Sequence, residues 1–182
     1  MTNIIPSKST AVVSMGLARR IEAHRLPASL AYSLPASVAS ALTFRTLSPE
    51  YETNPPLGLD LVALSLAGGL PRADAETALS VAQCSLQPSG PADCLEATAR
   101  LRAVARQRAV ITSDERLSLA VYGDKLAKYP ADAVAMACER WLEISPFWPA
   151  VSELLRMVEW AMQPRRELVL ALTLKLREMG DA

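Results

Sequence analysis

Beyond residue 70 the apolar side chains recur every three or four positions, and no stretch of the second half alternates with period two, so the pattern predicts helices there and no strands. The alanine-rich stretches Pro71 to Leu86 and Ala92 to Ala109 are separated by Gln87-Pro88-Ser89-Gly90-Pro91, a turn in which Pro91 suits a first helical position; together they read as a helical hairpin. Thr112 and Glu115 have the spacing of a capping box, opening a helix that sets Leu119, Tyr122, Leu126 and Tyr129 on one face and stops at Pro130. Ala131 to Glu143 carries a full apolar stripe of Val134, Ala137, Cys138, Trp141 and Leu142. Ser145-Pro146-Phe147-Trp148-Pro149 is then a rigid aromatic turn, and Pro149 opens an amphipathic helix with Val151, Leu154, Leu155, Val158 and Met162 on one side. A last helix, Arg165 to Met179, has a core stripe of Leu168, Val169, Leu172, Leu176 and Met179 and a second apolar pair, Leu170 and Leu174, nearly opposite.

Residues 1–70 read differently. Prolines punctuate them, and Leu26-Pro27-Ala28-Ser29 returns eight residues later as Leu34-Pro35-Ala36-Ser37, which forbids long helices. Short helices at Ala11 to His24 and Leu59 to Leu66 fit, without a clean stripe. The expected architecture is therefore all-α: an irregular or partly helical segment, 1–70, docking in part on a bundle of five to six helices, 71–182. Proteolysis is expected to begin within residues 1–58 and leave a resistant fragment starting near Pro71.

Composition narrows the function. With 182 residues and 51% hydrophobic content the chain can bury one sizeable core. Its 19 basic and 19 acidic residues cancel, so it lacks the overall positive field of a nucleic-acid binder. Residues 1–44 hold Glu22 as their only acid beside Lys8, Arg19, Arg20 and Arg25, a composition of transit peptides and of plain tails; the clustering of few arginines favours the tail. No apolar run reaches the roughly 20 residues of a membrane span, and a soluble cytoplasmic protein is expected. Cys84, Cys94 and Cys138 lack C-x-x-C spacing and, with His24 the single histidine, compose no ordinary zinc site.

No catalytic constellation stands out either. The chain has no phosphate-cradling G-x-x-x-x-G-K-[ST] loop, no G-x-G-x-x-G and no G-x-S-x-G, and the acids Asp114 and Glu115 fall at a helix start, where the macrodipole accounts for them. The expectation is a protein that binds another macromolecule, with no enzymatic activity, cofactor or metal.

Between Leu119 and Leu155 one helix ends in Tyr129-Pro130, the next carries Trp141, and Phe147-Trp148-Pro149 precedes a further helix with Glu153 and Leu154. In that order, and through Tyr122, Leu126, Val134 and Ala137, the segment resembles the small helicase loader and inhibitor proteins of bacteriophages and related prophage proteins. The resemblance implies a helical bundle that contacts a replication initiator, with a flexible segment after it that engages the replicative helicase ring. Here the irregular segment precedes the bundle and a helix follows it, so no individual binding residue carries over.

Two groups of residues are candidates for contact. Trp160 lies among the charged residues of its helix, one turn from Arg156, where it either covers a neighbouring element such as residues 1–70 or awaits a partner; Leu170 and Leu174 raise the same question. Arg100, Arg102, Arg106 and Arg108 crowd one helix, with Arg102 and Arg106 on an outward face opposite Ala97, Leu101, Val104 and Ala105, either a solvated face or a contact for DNA or an acidic partner. The leading reading is a replication accessory protein binding a replicative helicase or initiator. A DNA-binding or regulatory protein using the arginine helix, and a phage-encoded inhibitor of a host machine, are the alternatives; a homo-oligomer is compatible with each.

Overall fold

The computed structural model describes residues 26–47, 61–106 and 115–180. The helix expected at Ala11 to His24, Thr112 of the capping box and Arg108 lie outside them. The described residues form seven helices and one two-stranded sheet, in the order α1 (Ala28–Ser33), α2 (Ala36–Ala41), β1 (Leu42–Leu47), β2 (Leu61–Leu66), α3 (Arg72–Cys84), α4 (Pro91–Val104), α5 (Glu115–Leu126), α6 (Ala131–Ile144) and α7 (Val151–Gly180). The fold is mainly α-helical, as the periodicity predicts.

The Leu-Pro-Ala-Ser repeat is a pair of six-residue helices, α1 and α2, each begun by its proline, Pro27 or Pro35, and each preceded by a buried leucine, Leu26 or Leu34. The chain then enters an antiparallel ladder in which Leu42 pairs with Leu66 and Leu47 with Leu61. This corrects two expectations, since Leu61–Leu66 is a strand rather than a short helix and the segment before residue 70 contains a sheet. The reason is alternation over a span too short to stand out: Leu42 and Leu64 are buried while Thr43 and Ser65 between them face outward, their hydroxyls 2.6 Å apart.

Two clusters of buried side chains share α7. The first is built from α4, α5, α6 and the start of α7, around Leu101, Tyr122, Leu126, Val134, Trp141, Leu154 and Val158. The second joins Leu30, Leu34, Val38, Leu42 and Leu64 to Ala75, Ala78 and Ala82 of α3 and to Leu168 and Leu172 of α7. The described part of the first 70 residues is thus packed as core and supplies one wall of it. A fragment starting at Pro71 would bare Leu168 and Leu172, both fully buried, and is expected to bind a hydrophobic dye and melt well below the full chain, in place of the resistant fragment that the sequence suggests.

The sequence pattern separates the helix opened by Pro149 from a last helix at Arg165 to Met179, yet α7 runs unbroken through Pro164 for 30 residues, about 45 Å at 1.5 Å per residue. A proline inside a helix leaves the carbonyl four residues back without its donor. Continuity survives because both clusters grip the helix around that point, Met157, Val158, Ala161 and Met162 in one and Leu168 in the other. Immediately after the proline, Arg165 is 1% exposed, and its Nη1 donates to Ser85 O at 2.7 Å while Nη2 donates to Asp132 Oδ2 at 2.8 Å. One guanidinium thereby ties α7 to the end of α3 and the start of α6.

Candidate protein-docking surface

The arginine cluster is dispersed by the fold. Arg102 is half-buried, not outward: its guanidinium lies 5.3 Å from the Trp148 ring centre, and Trp148 in turn meets Tyr122 at 5.0 Å with the rings tilted, contacts that close the 146–149 turn onto α4 and α5. Arg100 pairs with Glu96 one turn away. Arg106 is exposed, but its backbone is engaged, donating to Pro146 O and accepting from Trp148 N–H, both at 2.7 Å. Arg102 and Arg106 therefore form no joint basic face. The inward position expected for Val104 is also overturned, since it is 69% exposed.

Trp160 is buried at 8% exposure within the first cluster, so it is withdrawn as a partner-binding residue. The α5–α6 corner covers this part of α7, where Tyr129 Oη donates to Glu159 Oε1 at 2.6 Å. Glu159 also accepts from Arg166, and these bonds, Arg166's first, hold its carboxyl below the ordinary carboxylate range despite partial burial. Their stabilising contribution is present above that ordinary range and fades as pH falls through the lowered value. Arg156 is exposed on α7. Leu170 and Leu174 are 53% and 51% exposed, one turn apart on the far half of the helix, and share no surface patch with Trp160.

Two of the three cysteines are buried and held as thiols. Burial pushes the Cys138 thiol up to about 12, and burial, followed by the charge of Asp93, raises that of Cys94, whose Sγ donates to Leu126 O at 3.4 Å. Among the described residues no group of three or more His, Cys, Asp or Glu could hold a metal ion, and no helix is long and apolar enough to cross a membrane.

What the sequence pattern misses is a groove of about 450 Å³ between α4 and α6. Each helix gives it one continuous stripe at three- and four-residue spacing: Asp93, Glu96, Ala97, Arg100, Leu101 and Val104 from α4, and Asp132, Ala135, Cys138, Glu139 and Leu142 from α6. Alanines at the middle of both stripes hold the floor low. Val104 and Leu142, at 69% and 36% exposure, stand at one end. The two walls are parallel. Ser89 ties their starts together, its N–H donating to Tyr129 O at 3.0 Å and its Oγ accepting from Ala131 N–H at 2.8 Å, while the Arg106 backbone bonds to residues 146 and 148 tie their ends. Asp93, Glu96 and Asp132 thus gather at the amino-terminal end, while Val104 and Leu142 stand at the carboxyl-terminal end with Glu139 one turn before Leu142.

No family model, curated protein or solved structure matches the chain.

A second hollow, beside α1, is walled by Ser29, Ser33, Ser80, Ser85 and Ser89 with Arg165, but Asp132 already meets the one cation in it. The positions that carry the likeness to phage helicase loaders fall mainly in the core: Tyr122, Leu126, Val134, Ala137, Trp141 and Leu154 are all buried.

Proposed function

We propose that this protein is a non-enzymatic docking module that holds a helix of another protein in the groove between α4 and α6. The observation that carries this reading is the groove itself, a trough with an alanine floor and charged rims in which two large apolar side chains, Val104 and Leu142, are left standing in solvent at one end. Its walls are helices whose backbone groups are already paired, so a strand laid in it would leave its own N–H groups unmet, whereas a helix satisfies them internally. A replicative helicase or a replication initiator is the first partner to try, on the resemblance over residues 119–155. The same surface would serve an inhibitor of a host machine.

Filling the groove tests the reading. Ala135 is half-buried on the floor, and Ala135→Trp would project an indole into the trough without displacing a core side chain. Against purified helicase and purified initiator, the substitution is expected to weaken binding at least about tenfold while the melting temperature stays within a few degrees. Unchanged affinity would move the docking surface elsewhere, and a matching loss with Leu170→Ser and Leu174→Ser would place it on the far half of α7.

A further inference from the structure

We infer that the helix held in the groove is basic and lies antiparallel to both walls, with apolar side chains toward its amino terminus and Lys or Arg toward its carboxyl terminus. This rests on the reading of the groove as a docking surface and adds the chemistry and direction of the occupant. Four carboxylates line the trough against one base. Glu96 is matched by Arg100 and Asp132 by Arg165; Asp93, at the amino-terminal end, has no ion pair or hydrogen bond among the described residues and stays available to cations of a partner, and Glu139, unpaired as well, lies at the other end beside Leu142. The same carboxylates repel phosphate, which turns the groove away from nucleic acid.

Direction follows from the parallel walls. Both macrodipoles present their negative ends beside Val104 and Leu142, and a helix whose amino terminus arrives there sets its own dipole against theirs. Its apolar turns then meet Leu101, Val104 and Leu142, and its last turns reach Asp93. From Asp132 to Leu142 the α6 wall spans ten residue steps, about 15 Å, so roughly three turns of partner helix fit. A second copy of the chain is the weaker occupant, because its exposed Leu170 and Leu174 are flanked by acids as well as bases: Glu178 pairs with Lys175, and Arg166 is spent on Glu159.

Four synthetic helical peptides, each about 14 residues long, decide the point by titration onto the full chain. One is apolar first and lysine-rich last, one has that order reversed, and two keep the apolar first half but end in glutamates or glutamines. The first is expected to bind about fivefold more tightly than the glutamine peptide and the reversed one, and about tenfold or more over the glutamate one, with an affinity that falls with added salt. Asp93→Asn, at the end where the lysines lie, should erase most of its advantage over glutamine, whereas Glu139→Gln, one turn from Leu142, should leave that advantage in place. Equal binding of all four, lost in Ala135→Trp, would keep the docking function and overturn the basic, antiparallel assignment. No binding by any peptide would overturn both. Self-association of the chain that Ala135→Trp abolishes would give the groove to a second copy, and binding seen only after residues 1–25 are removed would give it to the chain's own start; either result overturns the inference.

Discussion

Asp132→Ala is expected to lower stability by about 3–5 kcal/mol and to cost more than Arg165→Met, although Asp132 is the more exposed partner of the pair. The asymmetry comes from what each change leaves behind. Asp132 keeps 48% of its side chain in solvent, so without Arg165 its carboxylate is simply hydrated, and the loss is about 1–2 kcal/mol for a lost contact and an unmet Ser85 carbonyl. Arg165 keeps 1%, and without Asp132 a guanidinium remains buried with one carbonyl as its acceptor and with an Nε that already lacks a partner. Urea unfolding of both variants and of the double change checks this. If Arg165→Met proved the costlier, the carboxylate would not be what compensates the buried charge.

Trp141→Ala is expected to cost about 3–5 kcal/mol as well, for a different reason. The side chain is 2% exposed, the largest of the fully buried ones, and its indole Nε1 donates to Phe147 O at 2.6 Å. Removing it opens a cavity at the middle of the first cluster and frees the turn that launches α7. Trp141→Phe keeps most of the volume and loses the hydrogen bond, so it should cost about 1–2 kcal/mol. Thermal or denaturant melts separate the two terms; a loss below about 1 kcal/mol for Trp141→Ala would mean that the cluster closes over the gap.

Trp141 was legible from its place in an apolar stripe, and so were the helices α3 to α6: α3 and α4 from their alanines on either side of a proline turn, α5 from its start signal and Pro130, and α6 from its stripe. The elements that escaped depend on what packs against them. Trp160 sits among charged neighbours in sequence, and it is buried only once four helices assemble the first cluster. Pro164 signals a break in any isolated helix, and two clusters outvote it. The β1–β2 ladder is six residues a side with its partners 22 apart at Thr43 and Ser65, beyond what a local window sees. The groove needed two stripes at once: Ala97 and Ala135 look like ordinary helix formers, and they become the floor of a trough only when α4 and α6 lie side by side. The near-repeat of Leu-Pro-Ala-Ser could have been read further, since a proline that opens a helix and a leucine that anchors it recur together.

The sharing of α7 between two clusters also sets an order of events at the ribosome. Leu26, Leu30, Leu34, Val38 and Leu42 are synthesised early, yet two of the side chains that complete their cluster, Leu168 and Leu172, come more than a hundred residues later. The α4–α6 unit with Leu154 to Met162 can assemble while the earlier segment still waits, so the part made first completes its packing last. During that interval the waiting leucines lack the part of their cover that α7 supplies.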